Sequence, residues 1–206
     1  MIDINKIKAI VFDWGGVCCK EGELFASLDL QQTLALTPEQ IASKAKDIYN
    51  AYYIGKYNKD GFWRAIIKFF GLEETSAINP NSLSNAYLNS YSLYPEVLEI
   101  VGRLRNKYKT GLLSNLTPEM RDNIRAKHNL QKYFDVEIYS CDLTVVAMKP
   151  GEKPYHIILE KLGVAATESL FIDNSIKNIQ AASALGFETI FFNDLGQFLK
   201  EIEILL

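Results

Sequence analysis

This sequence has few cysteines, few histidines and little net charge. Its 206 residues include three cysteines and two histidines, and the formal net charge is −3. Cys18, Cys19 and Cys141 do not have the spacing of metal ligands, so we interpret them as reduced thiols of a cytoplasmic protein. The small negative charge does not provide the basic surface that nucleic-acid binding requires, so we expect no nucleic-acid partner.

Long hydrophobic runs are also missing. No apolar run approaches the ~20 residues that a membrane span requires, and we expect no membrane partner. The first residues, "MIDINKIKAIVFD", have neither the cationic lead nor the small-residue end of a signal peptide, so we expect none. Hydrophobic residues make up 48% and charged residues 23% of the chain, which is typical of a globular protein. We expect a monomer or a weak homodimer.

Five short segments are apolar at nearly every position, which is typical of strands covered on both faces in a parallel sheet. They are residues 8–13, 110–115, 136–140, 169–173 and 188–192. Four amphipathic helical patterns occur along the second half of the chain. They cover residues 95–107, 154–162, 175–185 and 194–205. This alternation of strand and helix predicts an α/β fold, a Rossmann-like three-layer core with a parallel sheet.

The region between the first strand and this series has almost no strand pattern. "TPEQ" at 37–40 predicts the start of a helix that runs to about Tyr53, and further helices are predicted at 60–71, with Asp60 as the cap, and at 81–92. The region is too long for an ordinary connection. We therefore predict a small inserted α-helical cap domain at 18–92, and a core domain formed by 1–17 and 93–206.

Polar residues follow the predicted strands where each strand ends, and a lysine precedes a helix. These residues are Asp13, Ser114, Asn115, Lys149, Asp173 and Asn174. Ligands of open parallel sheets bind outside the carboxyl ends of the strands, so these groups are expected to meet at one edge. A carboxylate can attack phosphorus, two carboxylates and a backbone carbonyl can hold Mg²⁺, and Lys and Ser can bind phosphoryl oxygens. The set therefore suits phosphoryl transfer.

Four sequence blocks, in order along the chain, resemble the motifs of the haloacid dehalogenase (HAD) superfamily, in its first subclass with a small helical cap. They are "VFDWGGV" at 11–17, "LLSN" at 112–115, "KPGEKPYHIILEKLGV" at 149–164 and "LFIDNSIKNIQAASALGF" at 170–187. The resemblance covers nearly the whole chain except the cap, whose sequence is generic. One such block alone is a weak signal, whereas four at successive strand ends are a strong one.

The resemblance implies a role for each matching residue. Asp13 would be the nucleophile that forms an aspartyl-phosphate, with Ser114 and Lys149 also catalytic. The phosphoryl group would be bound by Ser114, Asn115 and Lys149. A Mg²⁺ cofactor would be held by Asp13, the backbone carbonyl of Gly15, Asp173 and Asn174.

Two positions depart from the pattern of the family. Gly15 stands where the usual phosphatase has a second Asp that acts as general acid and base, although sugar-phosphate phosphatase branches also carry Gly there and remain hydrolytic. Glu21 and Glu23 follow soon after and could reach back to supply the acid, or could lie in a solvated loop. Asn174 stands where an acid is usual, so we expect weaker metal binding.

Three functions are consistent with the sequence. The leading hypothesis is a Mg²⁺-dependent phosphatase, a phosphoric monoester hydrolase, acting on a small phosphorylated metabolite that could be a sugar phosphate. The first alternative is a 2-haloacid dehalogenase, although that branch has an aromatic residue at the position of Gly15 and a non-acidic block at Asp173. The second alternative is a catalytically degenerate binding or scaffold protein, for which Gly15 and Asn174 are the evidence.

Overall fold

Residues 5–206 are described by a computed structural model, in which strands and helices alternate around one main sheet. The elements in chain order are β1 (Ala9–Phe12), β2 (Cys19–Lys20), α1 (Leu28–Leu34), α2 (Pro38–Lys44), α3 (Lys46–Tyr53), α4 (Lys59–Phe69), α5 (Pro80–Leu88), β3 (Ser92–Leu93), α6 (Pro95–Leu104), β4 (Lys109–Ser114), α7 (Pro118–Lys127), β5 (Val136–Tyr139), α8 (Glu152–Leu162), β6 (Ser169–Asp173), α9 (Ile176–Ala184), β7 (Glu188–Phe191) and α10 (Leu195–Ile202). Short 3₁₀ turns lie at Leu130–Lys132, Ala166–Glu168 and Glu203–Leu205.

The main sheet has five strands in the order β5-β4-β1-β6-β7, and all of its pairings are parallel. Each predicted strand lies within one residue of its observed bounds. The first strand, β1, is at the centre, because the chain adds β4 and β5 on one side of it and β6 and β7 on the other. The predicted α/β, Rossmann-like fold is confirmed.

Helices cover both faces of this sheet, and the side chains of β1 alternate between them. Ala9 and Val11 pack on the side of α8 and α9, whereas Ile10 and Phe12 pack on the side of α6, α7 and α10. Every residue of β1 is fully buried. Such burial on both faces explains why the strand is continuously apolar in sequence.

The core helices follow their predictions closely at most ends. Asp194 caps α10 by accepting a hydrogen bond from the Gln197 N–H, and Gly163 ends α8 in a left-handed conformation with φ of 64°. Helix α6 ends at Leu104, three residues earlier than predicted, and α8 begins two residues before Pro154. No side-chain hydrogen bond caps the start of α8, and sequence patterns locate helix ends less sharply than the helices themselves.

The inserted region contains five helices, α1 to α5, between two short strands that pair antiparallel, β2 and β3. The single helix predicted from "TPEQ" to Tyr53 was wrong, because the chain breaks at Ala45 (φ −97°, ψ 27°) into α2 and α3. Asn58, and not Asp60, caps α4, since its side chain accepts the Gly61 N–H at 2.8 Å. Helix α1 and the two strands were not predicted.

The inserted helices share one continuous hydrophobic cluster with the core. Aromatic residues of α3 and α4 contribute much of it: the rings of Tyr52 and Phe62 stack with centroids 4.0 Å apart, and Trp63 is fully buried. The assignment of 18–92 as a separate cap domain stays a prediction. In the structure, the chain enters the inserted helices through β2 and leaves them through β3. Within the described part of the chain, no helix is long and apolar enough to cross a membrane.

Candidate active site

Asp13 lies immediately after β1, at the carboxyl edge of the sheet. Its N–H donates to the Ile172 carbonyl of β6 at 2.9 Å, which extends the strand ladder to this residue. Its side-chain Oδ1 accepts the N–H of Trp14 at 2.7 Å, and the residue is 8% exposed. The central strand thus delivers a nearly buried carboxylate between the ends of β4 and β6.

Lys149 places its ammonium group between two carboxylates. Its Nζ lies 3.0 Å from Asp13 Oδ2 and 2.7 Å from Asp173 Oδ2. The side chain of Lys149 is 1% exposed and that of Asp173 is 0% exposed. When both carboxylates are ionised, these three groups carry one negative charge in total, because one ammonium faces two carboxylates.

Two asparagines hold this trio in place. The side chain of Asn115 donates to the Lys149 carbonyl and accepts the Lys149 N–H, both at 2.9 Å. Asn178, on α9, donates to both carboxylate oxygens of Asp173 at 3.1 and 3.0 Å, and the Ser175 N–H donates to Oδ1 at 2.7 Å. The loop after β4 and the start of α9 therefore fix the lysine and its partner in place.

The electrostatic environment of Asp13 disfavours its ionised form. Burial raises the pKa of Asp13 from its ordinary value of 3.8 to about 7, and Asp173 acts in the same direction, while the Lys149 ammonium and the Ser114 hydroxyl partly oppose them. Perturbed carboxyl groups of this kind are common in active sites. An additional cation near Asp13 would favour the ionised form that a nucleophile requires.

The two glycines of the loop after Asp13 differ in whether a side chain could replace them. Gly16 has φ of +78°, and a Cβ atom there would lie 2.0 Å from Nδ2 of Asn174. Gly15 is unconstrained by such a clash, because a Cβ atom there would meet its nearest neighbour, Glu21 Cγ, at 3.5 Å. Gly16 thus allows the Asn174 side chain to lie directly against the loop.

A cavity of about 170 Å³ opens beside Asp13. The core contributes polar groups from the strand ends, and the inserted region contributes tyrosines. Its lining residues are Asp13, Trp14, Gly15, Cys19, Glu21, Gly22, Tyr53, Tyr87, Tyr91, Ser114, Asn115, Leu116, Met120, Asn174, Ser175 and Asn178. Among residues 5–206, no Lys, Arg or His lines this cavity. The volume suits a small substrate.

The oxygen atoms around this cavity are chemically suited to Mg²⁺. Asp13, Gly15 and Asn174 all line it and offer a carboxylate, a backbone carbonyl and an amide oxygen. Among residues 5–206, no group of three His, Cys, Asp or Glu side chains could hold a metal ion. Mg²⁺ does not need such a cage, since it is commonly held by one or two carboxylates with waters and substrate phosphate.

The structure brings all the predicted site residues to one edge of the sheet. Asp13, Ser114, Asn115, Lys149, Asp173, Asn174 and Gly15 meet there. Asp173 does not line the cavity, and Lys149, Asn178 and the Ser175 N–H surround its carboxylate, so its role as a metal ligand stays a prediction. The same holds for phosphate binding by Asn115. Asn178 was not predicted, because nothing in the sequence pattern of 175–185 distinguishes it from the other polar residues of that helix.

The three cysteines do not add a reactive group to this site. All three are free and buried. Burial raises the pKa of Cys19, which lines the cavity, to about 12, with Asp13 and Glu21 acting in the same direction. A thiol with such a pKa stays protonated near neutral pH and is a poor nucleophile.

The fold and these strand-end residues agree with what comparison with known families finds. The family model described as haloacid dehalogenase-like hydrolase matches residues 7–186. The chain therefore belongs to the haloacid dehalogenase-like hydrolase family, as the sequence predicted.

Two curated relatives have different activities. One is (S)-2-haloacid dehalogenase 1 of Pseudomonas sp. (strain CBS-3), which is 27% identical over 142 residues, 66% of this chain and 62% of the relative. The other is the phosphoglycolate phosphatase of Escherichia coli (strain K12), which is 34% identical over 100 residues, 48% of this chain and 38% of the relative. The matches thus span less than two thirds of either relative.

Solved structures share the fold over nearly the whole chain. A HAD family enzyme from Bacteroides thetaiotaomicron, in complex with magnesium and inorganic phosphate, matches with a TM-score of 0.76 and 20% identity, covering 93% of this chain and 98% of its own. At this identity the likeness establishes the architecture, and the chemistry has to be argued from the residues of this chain.

Proposed function

We propose that this protein is a Mg²⁺-dependent phosphatase of a small phosphate monoester, and that Asp13 is its nucleophile. The observation that carries the proposal is the Asp13–Lys149–Asp173 trio, which places a carboxylate at the cavity wall with its orientation fixed by buried hydrogen bonds. Carboxylates serve as nucleophiles toward phosphorus and form acyl-phosphates.

The charge of the site supports a metal requirement. When both of its carboxylates are ionised, the trio carries one negative charge, and a phosphate monoester brings up to two more. Unscreened repulsion between such groups is severe in a partly buried site. When bound to Asp13, Asp173, Asn174 and the Gly15 carbonyl, Mg²⁺ would offset this repulsion.

Side chains of the protein then carry out nucleophilic attack and stabilise the developing charge. An Asp13 carboxylate oxygen attacks phosphorus, the bond from phosphorus to the leaving oxygen breaks, and an aspartyl-phosphate forms. The Lys149 ammonium and the Ser114 hydroxyl bind phosphoryl oxygens and stabilise the charge that develops on them. Asn115 orients Lys149 through its two hydrogen bonds to the backbone of that residue. Water then hydrolyses the aspartyl-phosphate.

A 2-haloacid dehalogenase is the second candidate, and the relative from Pseudomonas sp. is the observation in its favour. Such a substrate carries a carboxylate, which in a cavity of this kind needs a cation or several donors. The lining described here contains no Lys, Arg or His. The charge distribution therefore favours a phosphate ester accompanied by a metal ion.

Hydrolysis of p-nitrophenyl phosphate with Mg²⁺, and again after removal of the metal by EDTA, tests the proposal. We expect nitrophenol release that depends on Mg²⁺ and returns when the metal is restored. Release of halide from 2-chloropropionate without metal, in the absence of phosphatase activity, would favour the dehalogenase. Inertness toward both compounds and toward a panel of sugar phosphates, nucleotides and phosphorylated acids would favour a binding protein.

A further inference from the structure

A carboxylate lies close to the position that a side chain at residue 15 would occupy. A Cβ atom built on Gly15 would lie 3.5 Å from Cγ and 3.8 Å from Oε1 of Glu21. Both residues line the cavity that contains Asp13. A carboxylate is thus present beside the second residue after the nucleophile, although it comes from a different position in the chain.

The backbone around Glu21 holds it at this place. The Gly16 N–H donates to the Cys19 carbonyl at 2.8 Å, so the chain folds back over the loop that follows Asp13. Glu21 comes directly after β2, which pairs with β3, and the Glu23 N–H donates to Ser90 Oγ at 2.8 Å just beyond it. Glu21 is therefore bracketed on both sides by hydrogen bonds.

Glu21 and Glu23 differ in what their carboxylates contact. Glu23 is half-buried, and its Oε1 accepts the Phe25 N–H at 3.2 Å, away from the cavity of Asp13. The Glu21 carboxylate is exposed, lines that cavity and has no hydrogen bond to another residue in the described part of the chain. Asp13 and Glu21 are the two acidic residues in the described lining of the cavity. Since Asp13 is the proposed nucleophile, Glu21 is the one available for proton transfer.

We propose that Glu21 is the proton-transfer residue of this enzyme, in place of the carboxylate absent at Gly15; this assignment rests on the proposed phosphatase function. As the bond from phosphorus to the leaving oxygen breaks, the Glu21 carboxyl group donates its proton to that oxygen, and an alcohol departs. Its position at the cavity wall, beside Gly15 in the loop that follows Asp13, lets it contact the leaving group.

The same carboxylate completes the second half of the reaction. Glu21, now ionised, accepts a proton from the water that attacks the phosphorus of the aspartyl-phosphate. The bond between phosphorus and the Asp13 oxygen breaks, inorganic phosphate leaves, and Asp13 is again a carboxylate while Glu21 is again protonated. The exposure of Glu21 gives this water access from solvent. Proton transfer of this kind contributes ~10²–10⁴-fold to a rate.

Two aryl phosphates of nearly the same shape test the proposal through kcat/KM, which reports the steps up to formation of the aspartyl-phosphate. p-Nitrophenol leaves without help, whereas phenol is a poorer leaving group and benefits from a proton. In Glu21→Gln we expect kcat/KM to fall by about 10²-fold for phenyl phosphate and by less than about threefold for p-nitrophenyl phosphate. Glu23→Gln is the matched control and should change neither value.

A second variant asks whether the two positions are equivalent. The space at Gly15 accepts a Cβ at ordinary contact distance. When Gly15→Asp is added to Glu21→Gln, kcat/KM for phenyl phosphate should therefore rise by at least about tenfold over that of Glu21→Gln alone. If Glu21 had only a structural role, a carboxylate at residue 15 would not rescue the activity that Glu21→Gln loses.

The outcomes separate the two claims. If the unaltered protein hydrolyses neither aryl phosphate, the phosphatase function fails, and the assignment of Glu21 fails with it. If it hydrolyses both, and Glu21→Gln loses nothing or loses the same factor on both, the phosphatase stands and the assignment of Glu21 is wrong. If it hydrolyses p-nitrophenyl phosphate alone, no proton donor is operating, which also contradicts the assignment.

Discussion

Lys149 is the residue on which the geometry of the candidate site depends. A buried ammonium is unfavourable unless it is paired, and here two carboxylates provide the compensation. Asn115 holds the backbone of Lys149 in place, and Asn178 holds the carboxylate of Asp173. Removing one partner of a buried ion pair typically costs about 3–5 kcal/mol because the other charge is left uncompensated. The trio therefore serves both folding and the orientation of Asp13.

Gly16 gives the sharpest prediction for a single residue. Gly16→Ala should lower the free energy of unfolding by about 2–3 kcal/mol, because it combines an unfavourable positive φ with a clash against Asn174. The matched control is Gly71→Ala, at φ of +64° with nothing within 4 Å of its Cβ, which should lose about 1 kcal/mol. Urea denaturation measures both, and equal losses would contradict the described position of Asn174.

At the scale of elements, a buried carboxylate joins the inserted helices to the core. Glu119 lies in the first turn of α7 and is 8% exposed. Its Oε1 accepts Trp63 Nε1–H of α4 at 3.1 Å, and its Oε2 accepts the Ser84 hydroxyl of α5 at 2.6 Å. Together with the shared hydrophobic cluster, this contact holds α4 and α5 against the strand ends that carry the site.

Truncation of this carboxylate should be costly, whereas an amide should be tolerated. Glu119→Ala leaves two buried donors without an acceptor, and we expect a loss of about 2–4 kcal/mol in the free energy of unfolding. Glu119→Gln keeps an acceptor for Trp63, and the Ser84 hydroxyl can turn to accept from the amide, so its loss should be less than about 1 kcal/mol. Chemical denaturation of both variants distinguishes this network from a purely apolar contact.

The same residue predicts a pH dependence of stability. Burial raises the pKa of Glu119, although its hydrogen bonds partly oppose this. The folded protein therefore binds this proton more tightly than the unfolded chain, so the contribution of Glu119 is greatest below its ordinary pKa of about 4.3 and declines as the pH rises through the raised value. The stability of the unaltered protein relative to Glu119→Gln should fall over that interval; a rise would contradict the prediction.

At the scale of the whole molecule, the sequence predicted those parts of the fold whose signal is local. The five strands of the main sheet are buried on both faces and read as apolar runs, so their bounds were predicted to within one residue. The two-residue strands β2 and β3 depend on a pairing distant in sequence, which pattern reasoning cannot locate. The break at Ala45 falls on a residue type that favours helix, so no local signal marks it. The inserted region was therefore predicted as helical but with wrong helix limits.

The candidate site also contains residues that the sequence predicted and contacts that it did not predict. Residues at strand ends, such as Asp13, Ser114 and Asp173, were predicted because parallel topology brings those ends to one edge. The pairing of Lys149 with both carboxylates and the contacts of Asn178 and Glu119 are tertiary, with no periodic signal in the sequence. Glu21 was one of two open possibilities, and its distance from Gly15 separates it from Glu23.

Detection of a phosphorylated Asp13 tests the central claim most directly. The protein is mixed with p-nitrophenyl phosphate and Mg²⁺, quenched in acid within one turnover, digested and analysed by mass spectrometry. We expect the peptide that contains Asp13 to gain the mass of one phosphoryl group. Asp13→Asn should remain folded, show no such gain and release no nitrophenol, whereas Asp60→Asn, at an exposed position, should behave as the unaltered protein. A phosphoryl group on another residue, or an Asp13→Asn variant that keeps more than about a tenth of the activity, would contradict the account.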